Sequence, residues 1–152
     1  MYNDHFEQFT LTLADILKSV KKIKDKRMNI YGLRSSHVMV LYLLGREKNG
    51  LTPVELAESG SVDKALISRI ITELTEKGFV TTDPSNNKRY KARLMLTPAG
   101  QEAANYIASV VADIQQQVSN DIPKEDMETF YRVLFTLHGN FQQIANSLSD
   151  SE

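Results

Sequence analysis

The segment LTPVELAESGSVDKALISRIITELTEKGFVTTDPSNNKRYKARLML, Leu51 to Leu96, constrains the fold more than any other part of the chain. Thr52 stands where a helix needs its N-cap, and Pro53 takes the first helical position, where a missing N–H costs nothing. Val54, Leu56 and Ala57 are expected to face inward, and Ser59-Gly60-Ser61 ends this first helix. Asp63 then caps a second helix, in which Leu66, Ile67, Ile70, Ile71 and Leu74 keep helical spacing until Gly78 stops it. Phe79 to Thr82 is β-prone, Asp83 to Asn87 is rich in turn residues, and Tyr90 to Leu96 alternates towards apolar residues. That is the pattern of a hairpin with a flexible tip.

Two helices joined by a short turn and followed by a basic hairpin make a winged helix-turn-helix, an arrangement that reads DNA. The polar face of the second helix carries Lys64, Ala65, Ser68, Arg69 and Thr72. Ala65 and Ser68 let the backbone approach a major groove closely, Lys64 suits phosphate, and Arg69 suits the O6 and N7 of guanine. Alone, such a face reads as solvated surface. The hairpin that follows places Lys88, Arg89, Lys91 and Arg93 within six residues and turns the reading towards nucleic acid. With Tyr90, Ala92 and Leu94 on one face of the strand, Lys91 and Arg93 fall on the other. Lys88 and Arg89 project near the tip, where an arginine suits a narrow minor groove.

At these residues the chain resembles the MarR family of bacterial winged-helix regulators, over essentially its whole length. The resemblance is carried by Leu51-Thr52 with Glu55-Leu56-Ala57, by Val62 to Arg69, by Leu74 to Val80 with Glu76-Lys77-Gly78, and by Asn87-Lys88-Arg89 leading into Leu94-Met95-Leu96-Thr97-Pro98-Ala99-Gly100. It implies Arg69 for the major groove, Arg89 for the minor groove, and a homodimer made by the first and last two helices. The family wing carries Asp-x-Arg. This chain has Asn87 where the acid is expected and is one residue longer before the Leu-Thr pair, which leaves Asp83 as a nearby acid for the wing arginine.

Composition fits one unit over 1–152, of mostly α (α+β) class, with the winged helix-turn-helix over 33–96 and dimerisation helices over 1–30 and 97–148. Net charge is −1, but it is unevenly placed. Residues 1–60 hold nine basic and seven acidic side chains, 61–97 hold seven and four, and 98–152 hold two and eight. Positive charge therefore gathers where the motif expects DNA. No run of about eighteen apolar residues could span a bilayer, and the N-terminus lacks a signal-peptide pattern, so a cytoplasmic protein without membrane association is expected. With no cysteine, disulfides and thiol switches are excluded. His5, His37 and His138 are dispersed, and no phosphate loop, His-Glu-x-x-His or nucleophile elbow occurs, so no enzyme, metal or cofactor is expected.

Phe6, Phe9, Leu13, Ile16, Leu17, Val20 and Ile23 make an apolar stripe on an N-terminal helix whose lysines, Lys18 to Lys26, read as a solvated face. A further helix is expected from about Ser35 to Arg46. Thr97 caps another that starts at Pro98 and carries Ala103, Ile107, Val110, Ile114 and Val118 until Asp121-Ile122-Pro123 interrupts it. The last helix bears Met127, Phe130, Leu134, Leu137, Phe141, Ile144 and Leu148 at alternating spacings of 3 and 4, a seam open to an internal core or to a partner chain. The resemblance assigns Phe6, Phe9, Leu13, Phe130, Leu134, Leu137, Phe141 and Ile144 to dimerisation. It also places a cleft near Tyr31, Arg34, His37 and Tyr42, where ring stacking and charge pairing would hold a small aromatic or anionic effector, Tyr42 being equally suited to the core. The expected partners are thus a pseudo-palindromic duplex, a second copy of the chain and such an effector. A constitutive architectural DNA binder and a winged-helix protein-interaction module are the alternatives.

Overall fold

The computed structural model describes residues 2–82 and 92–149, with side chains from residue 5 onward. Six α-helices and a two-stranded sheet follow in the order α1 Tyr2–Met28, a 3-10 turn Asn29–Tyr31, α2 Ser35–Arg46, α3 Pro53–Gly60, α4 Lys64–Glu76, β1 Val80–Thr82, β2 Leu94–Leu96, α5 Pro98–Ser119 and α6 Lys124–Ser149. Asp83, Asn87, Lys88, Arg89, Tyr90 and Lys91 lie outside the described residues. Residues 1–111 form one compact unit and 112–152 a second.

Local chemistry explains the boundaries in the first unit. Thr52 accepts a hydrogen bond from the Glu55 N–H, and the Glu55 carboxylate accepts one from the Thr52 N–H at 2.7 Å, a reciprocal box that starts α3. Asp63 Oδ1 accepts from Leu66 N–H at 2.8 Å and starts α4. At the far end of α4, Phe79 N–H reaches the Leu74 carbonyl and Gly78 N–H that of Thr75, with Gly78 in the left-handed region at φ +77°, a Schellman stop. Between α3 and α4, the left-handed position falls on Ser61 (φ +51°), the residue after the last helical one, whose N–H caps the Ala57 and Glu58 carbonyls.

The core of this unit lies where α2 packs against α1, α3, α4 and β2. Val40, Leu41, Leu56, Ile67, Leu74 and Ala103 are essentially inaccessible in it. Val54, expected inward, is exposed. Two residues at 100° each set it about 200° round α3 from Leu56, and a helix of eight residues buries only one face. The strands pair antiparallel, Val80 with Leu96 and Thr82 with Leu94. Leu51 adds an isolated bridge to Leu94 and hangs the start of the helix-turn-helix on the wing.

In the second unit no residue of α6 is buried. Of the 3-4 seam, Phe130 is 54% and Leu137 36% exposed, while Met127 and Leu134 are half-buried. On α1, Phe6, Leu13, Ile16, Leu17 and Val20 are exposed as well.

Candidate nucleic-acid interface

α4 buries Ile67, Ile70 and Leu74 and turns Lys64, Ala65, Ser68, Arg69 and Thr72 outward; all five are exposed. Among the described residues, nothing pairs with Lys64 or Arg69. Thr72 differs from them: its hydroxyl donates to the Ser68 carbonyl oxygen at 3.0 Å. The helix presenting these groups is fixed at both ends by its caps and along its inner face by the core. The backbone that presents these side chains is thus fixed before any ligand arrives, which lowers the ordering cost of binding.

Arg93, read from sequence as a DNA contact, sits half-buried at the wing root. Its guanidinium donates to the Gly50 carbonyl oxygen at 2.7 Å and lies 3.4 Å from Glu55. Glu55 in turn accepts from the Thr52 N–H, and that bond is the main reason its carboxyl is held below the usual range. The arginine therefore ties the wing to the start of α3.

The four candidates for an effector do not converge. Tyr31 packs edge-on against Phe79 and lies 5.5 Å, ring to ring, from Tyr106, an aromatic cluster that joins α5 to the root of the wing. The Tyr42 hydroxyl accepts from Arg46 at 2.9 Å, with the guanidinium over its ring. Arg34 and His37 both turn to Glu73 on α4. His37 is 1% exposed; its Nδ1 accepts from the Arg34 N–H at 3.0 Å, so the ring proton is on Nε2, 2.7 Å from the Glu73 carboxylate. The Arg34 guanidinium donates to the same oxygen.

Arg34 first, and His37 second, hold the Glu73 carboxyl below its ordinary value of 4.5. A depressed folded-state value stabilises the fold above the unfolded value, and that contribution is lost as pH falls through the folded one. Glu73→Gln is therefore expected to lower the unfolding midpoint at neutral pH, with the gap to the parent closing as pH drops below about 4.5. A midpoint difference unchanged down to pH 3 would show that charge is not what ties α4 to α2.

A groove of about 290 Å³ does open beside this network. Leu17 and Val20 of α1, Met39 of α2 and Leu66 and Ile70 of α4 make it apolar, while Lys21, Lys24 and Ser36 bring charge and hydroxyl to it. Next to it, Asp25 Oδ1 accepts from the Ser35 N–H at 2.6 Å and ties α1 to the head of α2, a bond that also holds the Asp25 carboxyl below the usual range. Sequence reading treated Lys21 and Lys24 as solvated. The signal that marks them is their place beside Leu17 and Val20, at spacings of 3 and 4 on the same helix face.

The MarR family model matches residues 31–89. The HTH-type transcriptional regulator TcaR of Staphylococcus aureus (strain Newman) is 29% identical over 146 residues, 94% of this chain and 95% of the relative. A Staphylococcus aureus MarR in complex with salicylate and kanamycin superposes with a TM-score of 0.80 at 17% identity, covering 93% of this chain and 95% of that one. The Staphylococcus aureus MepR–DNA complex gives 0.79 at 15% identity, over 87% and 97%. At these identities the two solved structures establish the fold.

Proposed function

We propose that the chain is a regulator of the MarR family, whose model matches residues 31–89, and that it acts as a homodimeric, sequence-specific repressor released from its operator by a small aromatic or anionic effector. The observation that carries DNA reading is the outward row Lys64, Ala65, Ser68, Arg69 and Thr72 on a helix whose ends and inner face are fixed. Arg69 takes a guanine edge and Lys64 a phosphate, while Arg89 is assigned to the minor groove by the family resemblance alone. Repression then needs only occupancy of the operator.

Binding carried by these cations must weaken steeply with salt, since each neutralised phosphate releases counterions. Titration of a selected duplex and a random one is the test, and binding that ignores salt would favour a protein-interaction module. Arg69→Ala should cost roughly 1–3 kcal/mol on the selected duplex and relax preference at one base pair per half-site. Equal losses on both duplexes would reduce Arg69 to a phosphate contact.

The groove between α1, α2 and α4 supports the effector reading, because an apolar floor with two lysines suits an aromatic carboxylate. Arg34 and His37 stand next to it in sequence, bound to Glu73, so an occupant there sits against the polar tie that holds the recognition helix. Salicylate, held by the Staphylococcus aureus MarR, is the natural probe. It should raise the melting temperature of the parent and not of Lys21→Ala/Lys24→Ala. A constitutive DNA binder would show no shift with any such acid.

A further inference from the structure

We infer that α4 selects thymine by its methyl group at two places in each half-site, through Thr72 and Ala65. The inference rests on the chain being a DNA reader and goes on to the base chemistry it reads. Thr72 is exposed, yet its hydroxyl is committed inward, donating to the Ser68 carbonyl oxygen one turn back. Its proton is thus spent, and beyond an acceptor lone pair on the oxygen what Thr72 offers outward is its Cγ2 methyl. Ala65, equally exposed, offers only a methyl.

Seven residues separate the two, which brings them within about 20° of each other around the helix and about 10.5 Å apart along it. The methyls therefore form one stripe. Ser68 and Arg69 fall between them along the axis, on either side of the stripe, with side chains that have no partner among the described residues. In a major groove, apolar side-chain atoms single out the C5 methyl of thymine, while hydroxyl and guanidinium groups take the nitrogen and oxygen edges. A threonine whose proton is committed within its own helix has no donor left for a base edge, and its methyl can meet a thymine as one of valine's would. At ~3.4 Å per base pair along the duplex axis, about 10.5 Å is at most about three steps for a helix laid in the groove. A half-site should then carry two thymines up to about three base pairs apart, with the guanine of Arg69 between them.

The probe is the duplex that the full chain enriches from a random-sequence pool, with each thymine replaced in turn by deoxyuridine, which removes the methyl alone. At two positions per half-site the parent should lose about fourfold in affinity for each methyl removed. Thr72→Ser should lose the discrimination at one of these positions and Ala65→Gly at the other. Thr72→Val should keep it. Each comparison is a ratio within one variant, so changes in folding cancel. Specific binding that ignores every deoxyuridine would overturn methyl reading and leave the regulator intact, and so would loss of discrimination in Thr72→Val, which would make the hydroxyl the reading group. Failure to enrich any sequence would overturn the regulator reading and this one with it.

Discussion

In the proposed homodimer, Leu137→Glu is expected to separate the two chains and to remove tight DNA binding with them. Leu137 lies in the 3-4 seam of α6, 36% exposed in the single chain, and no residue of that helix is buried. A glutamate there costs a lone chain little. In a dimer core it places an unpaired carboxylate on each side, a cost of several kcal/mol that an apolar seam cannot offset. Two linked reading heads gain from effective concentration, so losing the pair should weaken operator binding by about 10²–10⁴. Sedimentation should give a dimer for the parent and a monomer for the variant. Circular dichroism should keep the helical signal of residues 1–111, whose core lies elsewhere. A parent that sediments as a monomer at micromolar concentration while binding one half-site tightly would leave the winged helix standing without the dimer.

Spacing marked the seam and the family resemblance assigned it to a partner chain, whereas much of the fold was legible in spacing alone. The Thr52 cap, the Asp63 cap, the Gly78 stop and the break at Asp121-Ile122-Pro123 are interactions between residues at most five apart, so residue order states them directly. The outward face of α4 was legible for the same reason, because 3.6 residues per turn sorts Ile67, Ile70 and Leu74 from Lys64, Ser68 and Arg69. The ties between elements were not. His37 meets Glu73 across 36 positions and Arg93 meets Gly50 across 43, and nothing in either neighbourhood marks its partner. Arg93 therefore read as one more wing cation, and His37 as a ligand for something outside the protein. The groove was missed likewise. Lysines on a helix read as solvated until a second and a third helix are set against the apolar residues beside them.

A methyl group added at Gly100 is expected to cost more than any surface change in this chain, and the reason lies in how the wing meets α5. Gly100 is buried in the first turn of α5, and a Cβ built there would stand 1.9 Å from the Phe79 carbonyl oxygen and 2.9 Å from its carbon. Neither partner is the loose end of a side chain. The Phe79 carbonyl accepts from the Thr97 N–H at 3.1 Å, the Thr97 hydroxyl donates to the Gly78 carbonyl at 2.6 Å, and the Gly100 N–H donates back to that hydroxyl at 3.1 Å. Any shift that admits the methyl must stretch this ring of bonds. Gly100→Ala should accordingly destabilise by about 3 kcal/mol, at the upper end for overpacking, and lower the melting temperature by roughly 6–12 °C. Gly32→Ala is the comparator. That glycine has open space around it but φ at +63°, so alanine there should cost about 1 kcal/mol through backbone strain alone. The functional consequence is separate from stability. Phe79 leads directly into β1, so the strain tilts the hairpin against α4, and operator affinity should fall at temperatures where the variant is still fully folded. Urea titration and operator binding at 15 °C check the two halves. A Gly100→Ala protein within about 0.5 kcal/mol of the parent, with unchanged affinity, would mean that this junction gives way without cost.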